Sequence, residues 1–391
     1  MWRLKIGLTF LLAASYPHSA ITAPLSLEQA WAQAEQANPD LRAAQTNLST
    51  AQGELTDARA LLWNNPLLST EWRKRKLPQT TVPAQSNYEW AVGLAQTFEI
   101  AGQQSLRRHA AEQALAATQA VILETQRQIR AEVEQQFVRV LGLQQRIQME
   151  ERTLKLVVEA ANATSKRVTA GEDSRLDGNL AEVEAGRAQN QVALLREQLI
   201  QARAALSTLL QLPTDSLPEP HGSLDVPSAA YTLDELLAAA VNRPLLRAYA
   251  HQQKSAESRL ALERAVVYPD ITLGVNVSRE GLGNPQDRIT GLNVSLPLPL
   301  FRRNATGIGR ATTELTRAQI QQQVTRRDTR TQVLALWARR ENLQARVKQL
   351  SGSVLPRLEE NLHLSSVSFR AGEIGLLQLL LVNRQVLDGQ R

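Results

Sequence analysis

The stretch Tyr88-Glu-Trp-Ala-Val-Gly-Leu-Ala-Gln-Thr-Phe98 decides the fold, because its side chains alternate in character. Tyr88, Trp90, Val92, Leu94 and Phe98 would share one face of a strand, with Gln96 as an exception, and charged, small or polar residues would share the other. A membrane-barrel strand shows this alternation, with lipid on one side and a wet interior on the other. A soluble sheet with one buried face shows it too, so alternation alone leaves both interpretations open.

Four such strands are predicted in the chain. Their ranges are 66–73, 86–98, 269–279 and 289–298, and such segments of about 10 residues have the length that a tilted strand needs to cross a bilayer. The expected lipid-facing residues are Tyr88, Trp90, Val92, Leu94, Leu273, Val275 and Val294. Closed membrane barrels need about eight strands or more, and open strand edges are not tolerated in lipid. Membrane strands would therefore require several chains to share one barrel, and three chains would give twelve strands around an open lumen.

The chain also contains an internal duplication with a spacing of about 200 residues. Asn38-Pro-Asp-Leu-Arg42 is matched by Asn242-Arg-Pro-Leu-Leu-Arg247, and Arg167-Val-Thr-Ala-Gly-Glu172 is matched by Ser368-Phe-Arg-Ala-Gly-Glu373. We predict a first repeat at 24–212, a linker at 213–231 and a second repeat at 232–391. Each repeat should open with one helix, from Ser26 to Leu62 or from Leu233 to Val267, with Ser26 and Thr232 as the N-caps.

The sequence also predicts a very long helix in each repeat. Residues 103–169 contain no proline and residues 304–370 contain only Pro356, so each helix would extend for roughly 100 Å at 1.5 Å per residue. Apolar residues recur in a narrow stripe at steps of three and four, which is typical of a coiled-coil seam. Each long helix should end at a glycine, Gly171 or Gly372, where the chain can adopt a left-handed conformation and reverse.

Composition limits the possible functions. The net charge of +6 comes from 44 basic and 38 acidic residues interleaved along the chain, so no nucleic-acid-binding patch is predicted. Residues 1–23 have the layout of a secretory signal peptide. The histidines show no metal-ligand spacing, and neither a nucleophile motif nor a phosphate-binding loop is present, so we predict no enzyme and no cofactor. The helices alone would equally suit a soluble periplasmic coiled-coil adaptor or scaffold, which is the alternative function.

Taken together, these motifs resemble the TolC-type outer-membrane proteins of tripartite efflux systems. The resemblance rests on both Pro-containing helix starts, on Gln96-Thr-Phe-Glu-Ile-Ala-Gly102 and Leu296-Pro-Leu-Pro-Leu-Phe-Arg-Arg-Asn304 before the long helices, and on both Ala-Gly-Glu turns. It covers nearly the whole mature chain and is nearest to the CzcC-like branch associated with heavy-metal resistance.

The resemblance implies a mainly α-helical homotrimer with a twelve-stranded barrel in outer-membrane lipid and a helical tunnel in the periplasm. It implies a passive duct for substrates such as heavy-metal cations, supplied by an inner-membrane RND-type pump through a periplasmic adaptor protein. The expected entrance and adaptor-contact residues are Gly171, Glu172, Arg175, Asp177, Gly372 and Glu373. In some relatives, acidic residues shortly after the second glycine form a ring at the closed entrance. The corresponding segment Gln378–Asn383 has no acidic residue, so the expected acidic residue of the entrance is Asp177 of the first repeat. Since the first repeat continues for about 30 helical residues beyond the position equivalent to Arg391, we also expect the second repeat to be truncated, either because the gene product is incomplete or because the last helix is missing.

Overall fold

The structure is a computed structural model that describes residues 25–77, 85–213, 215–224, 231–282 and 285–390. The predicted signal peptide and parts of the predicted linker lie outside these residues. The described part is mostly helical and contains four strands, as predicted. The helices are α1 (Leu27–Ala37), α2 (Pro39–Ala58), α3 (Gln103–Ala170), α4 (Arg175–Leu210), α5 (Leu233–Val241), α6 (Pro244–Ala265), α7 (Ala305–Gln349), α8 (Leu355–Ala371) and α9 (Leu376–Gln390). The strands are β1 (Leu67–Leu77), β2 (Gln85–Phe98), β3 (Ile271–Glu280) and β4 (Asp287–Ser295).

The chain divides into two compact units, and each takes segments from both sequence repeats. Of the described residues, one unit contains those within 25–38, 129–227 and 349–390, and the other contains those within 39–128 and 231–348. Because the long helix α3 crosses the boundary, its first part belongs to the second unit and its remainder to the first. We call them the turn unit and the sheet unit.

The opening helix of each repeat is broken, which corrects the prediction of one continuous helix. Helix α1 ends at Asn38, whose backbone is extended, and α2 begins at Pro39. In the second repeat α5 ends before Asn242, and α6 begins at Pro244. Proline disfavours a helical conformation in the residue before it and suits the first turn of a new helix, so each break falls at a proline. The predicted caps are confirmed, since Ser26 and Thr232 both form capping boxes.

The second long helix is interrupted, whereas the first is continuous over 68 residues. A π-helical turn at Leu350–Val354 separates α7 from α8, and Pro356 follows within the first turn of α8. Proline removes a backbone donor, and its ring crowds the carbonyl four residues earlier. The helix accommodates this by one wider turn, as π-bulges do.

The four strands form one antiparallel sheet in the order β1-β2-β3-β4. Several predicted boundaries need correction. Strand β1 continues beyond 73 to Leu77, because Lys74, Arg75 and Lys76 remain paired with β2. Strand β3 starts after Pro269, and β4 ends before Pro297 instead of at 298. Prolines cannot donate ladder hydrogen bonds, so they lie outside the paired segments.

A buried ionic cluster holds helices of the sheet unit together. Glu124 of α3, whose side chain is 4% exposed, accepts hydrogen bonds from Arg127 at 2.6 Å and from Arg243 at 2.6 Å and 3.0 Å. Arg243 also donates to Thr329 of α7. Burial alone would raise the pKa of Glu124, but the hydrogen bonds and charges of the two arginines lower it to about 2. The carboxylate is therefore ionised at neutral pH and links α3 to the α5–α6 junction.

Candidate functional site

Two groups of predicted site residues can be placed in the structure, one in each unit. In the turn unit, Gly171 ends α3 with φ +79°. Its N–H donates to the carbonyl of Val168, and the N–H of Glu172 donates to the carbonyl of Arg167. Glycine adopts this left-handed conformation without the Cβ strain of other residues, and the two hydrogen bonds satisfy carbonyls at the helix end. The predicted reversal at Gly171 is present.

The turn after α8 repeats this geometry. Gly372 has φ +77°, its N–H donates to the carbonyl of Phe369, and the N–H of Glu373 donates to the carbonyl of Ser368. Both glycines, Glu172, Arg175 and Glu373 are exposed. Gly171 and Glu172 at the first turn thus correspond to Gly372 and Glu373 at the second, and the two turns have the same backbone conformation.

An apolar cluster ties the two turns to each other. Phe369 is 4% exposed and packs with Leu376 and Leu379 of α9 and with Ala160 and Ala181 of the first hairpin. From the first hairpin, the guanidinium of Arg167 donates to the carbonyl of Phe369 at 2.9 Å and lies 5.2 Å from the centroid of its ring. A charged donor bound to a helix-end carbonyl is among the stronger hydrogen bonds, so Arg167 fastens the second turn to the first.

Asp177, the residue predicted to supply an acidic entrance, has a structural role that the sequence analysis missed. Its carboxylate accepts from the N–H of Ser174 at 3.2 Å and from the hydroxyl of Ser174 at 2.5 Å, while the Ser174 hydroxyl accepts from the Asp177 N–H. These contacts form a capping box at the start of α4, which satisfies helix donors that would otherwise be free. The carboxylate is half-buried, in contrast to the exposed carboxylate of Glu172.

In the sheet unit, the residues predicted to face lipid share one side of the sheet. We call this side the Trp72 face, since Trp72 of β1 pairs with Trp90 of β2 and residues directly opposite in an antiparallel pair point to the same side. Leu94 pairs with Val275, and Leu273 pairs with Val294, so all seven predicted residues lie on this face. Several are strongly exposed, including Tyr88 at 69%, Leu94 at 55% and Val294 at 72%.

The opposite side, which we call the Arg73 face, is polar and closely fitted. Gly274 lies opposite Asn293, and Gly291 lies opposite Asn276. A Cβ at either glycine would come within 3 Å of the facing asparagine side chain, so glycine leaves the space that the amide needs. On the same face, near the end of the sheet that leads into α3, the hydroxyls of Thr97 and Thr272 are 2.8 Å apart. The predicted exception Gln96 lies on the Trp72 face, where its amide donates to the carbonyl of Asn64 at 2.7 Å.

The junctions between strands and long helices also repeat. Gly102 before α3 has φ +75°, and Asn304 before α7 has φ +52°. At the first junction, Arg107 donates to both carboxylate oxygens of Glu99 at 2.7 Å and 3.0 Å and stacks 3.8 Å from the centroid of the Trp63 ring. Both side chains of this ion pair are largely buried. Each repeat thus fixes its change from strand to helix with a left-handed residue, glycine once and asparagine once.

No helix in the described part of the chain is both long enough and apolar enough to span a membrane. Among the same residues, no group of three or more histidine, aspartate or glutamate side chains is placed to hold a metal ion.

The model of a known family matches residues 30–211 and 236–391 of this chain, which together are most of its length, and its description is outer membrane efflux protein. The chain belongs to the outer membrane efflux protein family. Membership agrees with a fold in which one sheet exposes an apolar face and long helices end in tight turns. It places this efflux protein in the cell outer membrane, from which its helical part extends into the periplasm.

Named relatives of this efflux protein agree with the family. It is 28% identical over 375 residues to the cobalt-zinc-cadmium resistance protein CzcC of Cupriavidus metallidurans, covering 96% of this chain and 87% of CzcC. Its fold is similar to that of the outer membrane protein VceC of Vibrio cholerae, with a TM-score of 0.77, 19% identity and coverage of 93% and 90%. CusC, whose crystal structures concern transmembrane channel formation, is similar with a TM-score of 0.70, 18% identity and coverage of 94% and 88%.

Proposed function

We propose that three copies of this chain form a passive channel that carries heavy-metal cations out of the periplasm. An inner-membrane pump of the RND type delivers the cations through a periplasmic adaptor protein. The similarity to CzcC, a cobalt-zinc-cadmium resistance protein, supports this class of substrate. The channel performs no catalysis, because selection and energy input belong to the pump.

The four-stranded sheet with two free edges is the observation that carries this proposal. On the described residues, β1 and β4 each pair on one side only. Unpaired backbone groups cannot remain in lipid, so β1 of one copy must meet β4 of another. Three copies give twelve strands, which exceeds the minimum of about eight and leaves a lumen. The Trp72 face then faces lipid, and the Arg73 face lines the lumen.

The two hairpin turns suit a contact with the adaptor protein. Gly171, Glu172, Arg175, Asp177, Gly372 and Glu373 lie at or beside the turns, and Leu176 and Leu377 follow at matching positions. These two leucines are 66% and 68% exposed, which leaves apolar area beside the charged turn residues. An apolar centre with a charged rim is the usual composition of a protein interface.

Native mass spectrometry on protein extracted from isolated outer membranes tests the proposal directly. A trimer is the expected result. A soluble monomer recovered from the periplasm, with none in the membrane, would contradict the shared-barrel arrangement.

A pair of neighbouring substitutions in β4 tests the two faces. Leu292→Asp places a carboxylate on the Trp72 face at a position that is 84% exposed, so we expect it to prevent membrane insertion and abolish zinc and cobalt resistance, since charge on a lipid-facing strand is unfavourable. Asn293→Asp, one residue further on the Arg73 face, is the matched control and should insert normally. Equal insertion of the two variants would show that the faces are assigned wrongly.

A further inference from the structure

The charged residues at one end of the sheet are segregated by face. This end, which we call the hairpin end, carries the β1–β2 and β3–β4 connections and lies opposite the end that leads into α3 and α7. On the Trp72 face its charged residues are all basic: Lys74, Lys76, Arg279 and Arg288. On the Arg73 face they are mixed: Glu71, Arg73, Arg75, Glu89, Glu280 and Asp287. The separation follows directly from the period of two along each strand.

The basic residues of the Trp72 face have no acidic partner in the described part of the chain. On the Arg73 face, by contrast, Arg73 pairs with Glu71 at 2.9 Å and Arg75 pairs with the buried Glu89 at 2.8 Å. The two connections at this end contribute no carboxylate from residues 78–84 or 283–284, which contain no aspartate or glutamate. The basic side chains are exposed, so their charge is available to an external anion.

Aromatic residues accompany this charge at the edge of the apolar band. Trp72, Trp90, Arg279 and Arg288 form one row across all four strands, because each pairs with the next. Trp72 is 78% exposed, and the ammonium group of Lys74 lies 5.3 Å from the centroid of the Tyr88 ring. Tryptophan and tyrosine with snorkelling basic side chains are characteristic of the level at which lipid tails meet their headgroups.

The height of the apolar band agrees with this placement. The apolar part of the Trp72 face extends along β2 from Phe98 to Trp90, a distance of eight residues, or about 26 Å at roughly 3.3 Å per residue. With a barrel tilt of about 40°, the band is about 20 Å tall, close to the roughly 25 Å apolar band of outer-membrane barrels. Lys74 and Lys76 lie beyond this band, so they reach headgroup level on the side away from the periplasmic helices.

We propose that Lys74, Lys76, Arg279 and Arg288 bind the phosphate groups of anionic lipid in the outer leaflet of the membrane. The inference rests on the proposed function, which orients the Trp72 face toward lipid. Because the opposite end of the sheet leads into the periplasmic helices α3 and α7, the hairpin end faces the cell exterior. The lipid, and not a soluble anion, is the ligand, because the four charges border an apolar and aromatic surface that only an amphiphile can cover. Bound lipid would seal the outer rim of the channel and fix its depth in the membrane.

Native mass spectrometry of the detergent-purified trimer, titrated with diphosphorylated lipid A, tests the proposal. We expect several lipid molecules to remain bound at collision energies that remove a zwitterionic phospholipid. The variant Lys74→Gln/Lys76→Gln/Arg279→Gln/Arg288→Gln should bind more weakly by a factor of about 600, since each of the four basic residues near an anionic surface contributes about fivefold. Lys74→Gln alone should weaken binding, whereas Arg73→Gln, a neighbouring control with the same charge loss on the other face, should not.

Two further measurements separate the possible outcomes. On the unsubstituted trimer, dephosphorylated lipid A should bind weakly and excess inorganic phosphate should not displace the phosphorylated lipid; equal binding of the two lipids, or ready displacement, would overturn the proposal without any variant. If the fourfold variant is a trimer in the outer membrane and binds lipid A like the unsubstituted protein, the lipid inference is wrong and the channel proposal stands. A soluble monomer of the unsubstituted protein would instead refute the channel proposal.

Discussion

The two hairpin turns have the same backbone and different surroundings. Gly171 and Gly372 differ by only 2° in φ, and the same pair of hydrogen bonds closes each helix. After the first turn, Ser174 and Asp177 form a polar cap on α4. After the second, Ile374 and Leu376 pack into the apolar cluster around Phe369, and Gly375 stands where the first turn has its capping serine.

The comparison shows that glycine determines the form of the reversal, whereas the residues around it determine how each hairpin is held. The first turn has a local capping box between residues three positions apart, in addition to the contacts of Ala160 and Ala181 with the Phe369 cluster. The second is stabilised by long-range contacts, since Arg167 and Phe369 are 202 residues apart in the chain. The start of α4 should therefore tolerate loss of the Phe369 contacts, whereas the second turn should not.

Removing the Phe369 side chain should have the largest effect on this difference. Phe369→Ala would empty a buried site in the cluster, and such changes cost about 3–5 kcal/mol. We expect faster hydrogen exchange across 362–380 and reduced zinc resistance. Val168→Ala is the matched control, because Val168 also lies three residues before its glycine but is only half-buried. Equal exchange in the two variants would remove the proposed distinction.

Replacing either glycine by valine tests the shared backbone. A β-branched residue in the left-handed conformation costs about 1–3 kcal/mol. A Cβ at Gly171 meets nothing within 4 Å, and one at Gly372 meets only the Arg167 guanidinium at 3.7 Å, so Gly171→Val and Gly372→Val should be affected equally. Hydrogen exchange of the turn amides measures this. Gly186→Val, at a helical glycine with open space in α4, should show little change; a cost as large there would discount backbone strain as the cause.

Arg167→Ala should loosen only the second turn. The variant loses the hydrogen bond to the Phe369 carbonyl and the contact with its ring, and we expect a cost of about 1–2 kcal/mol from a charged donor that is partly exposed. The amides of residues 370–376 should exchange faster, while those of 171–177 should not. Arg175→Ala removes the same charge from an exposed site at the first turn and should leave both segments unchanged. Faster exchange at the first turn in Arg167→Ala would contradict the assignment.

Ser174→Ala should loosen the first hairpin alone. Loss of an N-cap serine costs about 1 kcal/mol, and the effect should be confined to the first turn of α4. The measurement is again the exchange of amides 175–179, with those of α9 as the internal control. Matching changes in α9 would indicate that the two hairpins are stabilised as one unit.

Introducing a serine N-cap at the start of α9, as in α4, should produce the smallest effect. Gly375 corresponds to Ser174, its Cβ position meets nothing within 4 Å, and its φ is not positive, so Gly375→Ser introduces no clash or strain. Serine exceeds glycine as an N-cap by a few tenths of a kcal/mol, and exchange at the start of α9 should slow slightly. Faster exchange would mean that a serine N-cap does not stabilise α9 in the way that Ser174 stabilises α4.

Sequence patterns predicted the parts of the fold that depend on local chemistry. The alternation around Trp90 identified the strands, and Gly171 and Gly372 marked the turns, because only glycine adopts a positive φ without strain. The breaks at Pro39 and Pro244 were missed, since apolar residues keep a helical spacing on both sides of each proline. The π-helical turn was missed as well, because Pro356 signals a distortion without specifying how the preceding carbonyls adjust.

The predicted site residues differ in how far sequence could describe them. Glu172 and Glu373 are exposed beside their glycines, as their local polarity suggested. The role of Asp177 was missed, although Ser-x-x-Asp before a helix resembles the capping-box signature. The contact of Arg167 with Phe369 and that of Arg243 with Glu124 join distant segments, and no local pattern announces such pairs. The glycine-asparagine fit between β3 and β4 likewise depends on a register that only the paired strands reveal.

The pairing of β1 with β2 has a consequence for how the chain enters the membrane. If β2 were displaced by one residue, Tyr88, Trp90, Val92 and Leu94 would turn to the Arg73 face and Glu89 would turn to the Trp72 face. Glu89 would also leave Arg75 and the N–H of Gly281, with which it now interacts. With the Trp72 face toward lipid, as proposed, this displacement would place the Glu89 carboxylate in the bilayer, so the membrane itself would favour the observed strand register during insertion.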